Sequence, residues 1–155
     1  MQQKQQQPQQ QVLFICQSNR SISKMAAAYL AHKLKELGRR DIIVLSAGTS
    51  VWRENAMHQA AIDALAEIGV VSPTIGPAQL SLKDIKSSGL IVCMSDEMVK
   101  KITDDFQSAR GKTIHLMSQS DAKRDVFEPR ATLEACRQCL AMMRPALDRI
   151  AERLV

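Results

Sequence analysis

Residues 12–26, VLFICQSNRSISKMA, hold the side chains of this chain best placed to do chemistry. An apolar run ends in Cys16, a polar stretch follows, and from Ile22 onward the residues suit a helix. The first-turn N–H groups of a helix lack intrahelical partners, and together with the helix dipole they favour an anion or a thiolate. A thiol in that position is easier to ionise and becomes a nucleophile. The same segment also fits Cys16 as a small buried hydrophobe closing a strand. Its surroundings must decide between the two.

Four short, nearly continuous apolar runs read as strands buried on both faces: QVLFIC, DIIVLS, GLIVCM and KTIHLM. Between them, helical spacing covers residues 22–37 before Gly38, 54–68 before Gly69, and 96 to about 106. Alternating strands and helices predict an α/β fold, a four-stranded parallel sheet with helices on both faces. In the last segment Leu133, Cys136, Leu140, Met143, Leu147, Ile150 and Leu154 form one apolar stripe, with Thr132 as N-cap. Pro145 is expected to kink or restart that helix, pushing Arg144 away from helical geometry. The Cys136/Cys139 pair has redox-motif spacing but lies inside the helix, so Cys136 is assigned to the core. Ligands of open parallel sheets bind beyond the carboxyl ends of the strands. Cys16, SAGTSVW after the second strand, SDE after the third and SQSDAKRDVFEP after the fourth should therefore share one crevice.

Composition narrows the function classes. A chain of 155 residues fits one domain with a real core. Four unevenly spaced cysteines match neither a secreted disulfide framework nor a zinc ligand set, so a reducing cytoplasm is the expected compartment, with no metal and no cofactor. The start MQQKQQQPQQ lacks signal-peptide character and is expected to be a disordered tail over residues 1–10, preceding one domain over 11–155. No run is long enough to cross a bilayer. A net charge of +5 with 3% aromatics and no nucleic-acid motif points to a solvated basic surface rather than specific nucleic-acid binding. His32, His58 and His115 show no ligand or base spacing and read as structural, His58 within the second helix and His115 within the fourth strand.

The loop cysteine after the first strand, SAGT at residues 46–49, Trp52, IVCMSDE on the third strand and DVFEP before the final helix together resemble the low-molecular-weight protein tyrosine phosphatases. The thioredoxin-coupled arsenate reductases share that fold. The likeness runs from about Gln11 to Val155 and implies a Rossmann-like three-layer arrangement. In the family a C-x5-R-S loop supplies a thiolate that attacks phosphorus and an arginine that forks onto the phosphate, and an aspartate before proline protonates the leaving group. Aligned without gaps, Cys16 matches the nucleophile, Asn19 the loop-shaping asparagine and Ser23 the serine after the arginine. The resemblance thus implies a substrate loop of Gln17, Ser18, Asn19, Arg20, Ile22 and Ser23, with Trp52 as a candidate wall.

Several positions depart from the pattern. Ile22 stands where the arginine belongs, Lys24 replaces the usual proline, and Arg20 lies two residues early. Ile22 also shares a helical face with Ala26, Leu30, Leu34 and Leu37, so it is expected to pack inward or line the pocket. Glu128-Pro129 replaces aspartate-proline, Arg130 replaces a common aromatic, and Gly89 replaces a common aspartate. These changes predict a phosphatase-like protein whose Cys16 loop binds phosphate or a phosphotyrosine-containing ligand with weak or no hydrolysis. The alternative is an active enzyme in which Arg20 or Lys24 replaces the arginine and Glu128 acts as the acid. A thiol redox sensor and an arsenate reductase rank lower, the latter because Cys93 lacks neighbouring cysteines. No partner protein is identified.

Overall fold

Successive residues of a strand point to opposite faces, so a strand buried on both sides needs apolar residues throughout. In the computed structural model, which describes residues 10–52, 57–72, 77–121 and 124–155, β1 (Gln11–Cys16) meets that requirement at the centre of the sheet. Val12, Phe14 and Cys16 enter one core layer, and Leu13 and Ile15 the other. β1 pairs in parallel with β2 (Ile43–Gly48) on one side and β3 (Leu90–Cys93) on the other, and β4 (Thr113–His115) adds beyond β3. The order is β2-β1-β3-β4, the four-stranded parallel sheet expected from the sequence. The Gln-rich tail lies outside the described residues apart from Gln10.

Helices cover both faces. α1 (Ile22–Glu36), α2 (Gln59–Glu67) and α5 (Leu133–Leu154) pack on the layer that holds Cys16. α3 (Leu82–Ser87) and α4 (Asp96–Asp105) contribute Ile85 and Ile102 to the layer that holds Cys93. Each fully buried side chain such as Phe14 or Leu30 contributes about 2–3 kcal/mol. Side-chain hydroxyls cap three helices: Ser81 accepts from the Asp84 N–H at 3.2 Å, Ser95 from Met98 at 3.1 Å and Thr132 from Ala135 at 3.2 Å.

Three local expectations are corrected. α2 begins at Gln59 rather than residue 54, with residues 54–56 outside the description, so His58 sits at the N-cap and not within the helix. α3 was not anticipated, although Ser81 and Asp84 in LSLKDIKS carry an N-terminal capping signal. α5 runs without interruption through Pro145 rather than restarting there, and Arg144 stays helical. Met143, Ala146 and Leu147 are buried on either side, and that packing holds the segment in register despite the missing N–H.

Register sets Gly48 beside Cys16. A Cβ at Gly48 would lie 2.7 Å from the Gln17 carbonyl oxygen and 3.0 Å from the Asn19 nitrogen, so only glycine lets β2 approach the loop this closely. The neighbouring Thr49 and Ser50 N–H groups donate to the Cys16 and Gln17 carbonyls at 3.0 and 2.8 Å. This contact gives the SAGT block its physical meaning.

Gly48→Ala is expected to lower the urea midpoint, by about 1–3 kcal/mol in unfolding free energy, because two of the opposing atoms are backbone and cannot rotate away. Pro145→Ala, at an exposed helical position, is expected to act oppositely. Restoring the N–H should stabilise by about 2 kcal/mol after allowance for the more flexible unfolded chain, read by the same denaturation.

Candidate active site

β1 delivers Cys16 to the carboxyl edge of the sheet, where the chain turns through Asn19 at φ 54°. Asparagine tolerates this left-handed conformation better than most residues with a side chain. The buried Asn19 side chain then locks the turn: its Nδ2 donates to Ser23 Oγ at 2.8 Å, and its Oδ1 accepts from the Ala78 N–H at 2.9 Å. The Asn19 N–H points at Cys16 Sγ at 3.1 Å, and Ser23 Oγ lies 2.9 Å from the same sulfur. Cys16, Asn19 and Ser23 are thus brought together as the sequence suggested.

The thiol does not ionise as readily as expected. Burial pushes the Cys16 thiol above its ordinary value, while the Ser23 hydroxyl and the N–H groups of Asn19 and Ser23 pull it back. The nearby Glu128 carboxylate adds to the upward push. At 3% exposure, lost hydration outweighs the donors that a helix mouth supplies. Cys93 and Cys139 are pushed up to about 12, chiefly by burial, and the Cys136 thiol is also raised by burial.

Ser21, missed from the sequence, occupies the N-cap of α1 but makes no side-chain cap. Its hydroxyl instead donates to Glu128 Oε1, and Ser18 Oγ donates to Glu128 Oε2 at 3.2 Å. The carboxylate of the segment before α5 therefore rests on the cysteine loop. The first turn of α1 carries no side-chain cap, which suits it to an external anion.

A cleft of about 400 Å³ opens at this edge of the sheet. Cys16, Gln17 and Ile22 border it from the loop and α1, Thr49 and Ser50 from beyond β2, and Met94 and Ser95 from beyond β3. Residues 125–128 close the fourth side, so segments following three of the strands and the segment preceding α5 do converge. Ile22 is both a core residue and a cleft residue. Arg20 does not border the cleft; its Nε is enclosed without a hydrogen-bond partner, and its carbonyl accepts from the His58 N–H at 3.3 Å. Lys24 is buried and faces a separate groove beside β2, where burial pushes its ammonium below the usual lysine value and Cys16 pulls the other way. Trp52 is 73% exposed and lies off the cleft lining, whereas Phe127, which the sequence did not single out, borders it at 74% exposure.

Cys93 pairs with Ile15 in register and belongs to the core layer opposite Cys16. Asp96, His115 and Asp125 bring three ligand-type atoms within 4.8 Å of one another, although His115 had shown no such spacing in the sequence. The His115 ring turns Nε2 to Asp125 Oδ1 at 3.2 Å and Nδ1 to Asp96 Oδ1 at 3.8 Å. The trio is a compact cluster of one imidazole between two carboxylates. Among the described residues no helix is long and apolar enough to cross a membrane.

Similarity to known proteins follows the same lines. No curated protein matches the chain. The YwlE arginine phosphatase from Geobacillus stearothermophilus is 26% identical, superposes with a TM-score of 0.78, and the match covers 94% of this chain and 92% of that one. The tyrosine phosphatase Wzb from Escherichia coli K30, in complex with sulphate, is 21% identical with a TM-score of 0.82 over 94% and 98% of the two chains. Wzb from Vibrio vulnificus, in complex with benzylphosphonate, is 22% identical with a TM-score of 0.81 over 94% and 99%. The family model for low molecular weight phosphotyrosine protein phosphatase matches residues 11–155, and with this loop, sheet and cleft the chain belongs to that family.

Proposed function

We propose that this chain is a degenerate family member whose Cys16 loop binds phosphate-type oxyanions and hydrolyses phosphomonoesters weakly or not at all. The observation that carries this reading is the contrast within one loop. Cys16, Asn19 and Ser23 are bonded to one another as a preformed cradle, while the cleft position of the family arginine is the apolar Ile22. A neutral side chain cannot replace a forked, charge-assisted contact with phosphate. Relatives in complex with sulphate and benzylphosphonate support a tetrahedral oxyanion as the ligand. The working compartment is taken to be the cytoplasm, in keeping with four free cysteines.

A second reading, active hydrolysis, is favoured by the position of Glu128 at the cleft. In that case the Cys16 thiolate attacks phosphorus, the bond to the leaving oxygen breaks, and Glu128 delivers its proton to that oxygen. Water then hydrolyses the thiophosphate, returning the thiol. Arg20 would have to swing from its enclosed position to take part. A disulfide relay of the arsenate-reductase type gains no support, because Cys93 faces the opposite layer from Cys16.

Turnover of an aryl phosphate by the purified chain is expected to be barely above that of its Cys16→Ser variant. Robust turnover that vanishes in Cys16→Ser would sink the degenerate reading and establish the active one.

Ile22→Arg should raise affinity for inorganic phosphate, by roughly 10²-fold where the loop is otherwise formed. Isothermal titration reads the affinity, and thermal unfolding checks that losing a core isoleucine leaves the protein folded. A folded Ile22→Arg protein with unchanged affinity, alongside loss of binding in Arg20→Ala, would identify Arg20 as the phosphate ligand instead.

A further inference from the structure

His115 ends β4 with its side chain 12% exposed, and the chemistry above leaves it unused. Its Nε2 lies 3.1 Å from the Met94 carbonyl oxygen, which can only accept, so Nε2 carries the ring hydrogen. The Asp125 carboxylate lies against the same nitrogen, its Oδ1 3.2 Å away, and that oxygen accepts from the Asp96 N–H at 3.2 Å. One residue further on, the Val126 N–H donates to the Met94 carbonyl at 2.8 Å. The chain is thereby fastened to the end of β3 and the start of α4 at residues 125 and 126. Two residues later Glu128 receives the hydroxyls of Ser18 and Ser21. Four residues span at most about 14 Å, so a strap this short, pinned at one end, has little freedom in where it sets its carboxylate at the other.

We propose that His115 is a positioning residue: by holding Asp125 beside the Met94 carbonyl, it fixes the strap of residues 125–128 and so sets where Glu128 rests on the Cys16 loop. The inference rests on Glu128 as the carboxylate of the site. It adds a residue from β4, a strand that contributes no side chain to the cleft lining. The other groups facing the ring are Asp96 from α4 and Asp125 from the strap, so the ring lies between two acidic segments.

The test reads the thiol of the full-length protein, independent of turnover. Glu128 lies close enough to Cys16 to oppose its ionisation, so the rate of Cys16 alkylation by iodoacetamide at fixed pH, mapped by mass spectrometry, reports where the carboxylate sits. Glu128→Gln should speed alkylation roughly three- to tenfold. His115→Phe should act in the same direction, His115→Gln should restore a rate near that of the unaltered protein by keeping an N–H donor, and His115→Phe should add nothing on a Glu128→Gln background. If His115→Phe does not fold, Asp125→Ala removes the other partner of the contact and carries the same expectation. An equal effect of His115→Phe with and without Glu128 would overturn the proposal, as would Glu128→Gln alkylating at the unaltered rate. Inorganic phosphate binding, measured on the same proteins, separates the two ideas: absent binding counts against the oxyanion site alone, whereas an additive alkylation cycle counts against His115 alone.

Discussion

Closure of the loop around the Cys16 sulfur is the constraint on which the rest of the structure depends. The sulfur lies within hydrogen-bonding distance of the Asn19 N–H and the Ser23 hydroxyl, and Asn19 must adopt a left-handed conformation to bring its N–H there. A strained turn persists only when its surroundings over-determine it. Here they do so from several directions. The Asn19 amide is bonded at both ends, Gly48 admits β2 to within contact of the loop backbone, and the N–H groups of Thr49 and Ser50 tie the loop to the strand beside it.

The sheet explains why these pieces meet. Parallel order places the carboxyl ends of β1, β2 and β3 along one edge, and β1 at the centre is flanked on both sides by chains that must leave the sheet there. The segment before α5 returns to this edge, bonded to β3 through Val126 and to the cysteine loop through Glu128. The cleft is therefore a consequence of topology. Its chemical character is a matter of a few side chains: a buried thiol raised by desolvation, an apolar Ile22, and a carboxylate held by two serine hydroxyls.

Those side chains are coupled rather than independent. Relative to the family pattern, Ser21 precedes the altered arginine position and Glu128 replaces the aspartate, and in the fold these two residues bond to each other. The hydroxyl that would ordinarily cap α1 serves the longer acid instead. The loop's polar contacts are thus divided between the cysteine turn and the segment before α5. Burial of Cys16 works against thiolate formation, so the closed shape of the loop does not by itself make the thiol reactive.

Local signals in the chain were sufficient for the parts that local physics governs. Continuous apolar runs marked strands buried on both faces, the stripe from Leu133 to Leu154 marked α5 with Thr132 as its cap, and Cys16 stood at a strand end before a helix. Where packing or distant contacts decide, the sequence was silent or misleading. Pro145 lowers local helix preference, yet buried neighbours on both sides keep α5 continuous. A helix mouth favours a thiolate, yet burial reverses the balance for Cys16. Ser21 drew no reading from the sequence, and only the return of residue 128 across the loop gives its hydroxyl a partner. His115 and Asp125 are ten positions apart with nothing between them to link their roles, and Asp96 is farther still. Their meeting requires β3 and β4 to pair in parallel register and the segment before α5 to fold back over them. Strand, helix and cap preferences are short-range and can be read along the chain, whereas burial, desolvation and bonds between remote segments exist only once the sheet has formed.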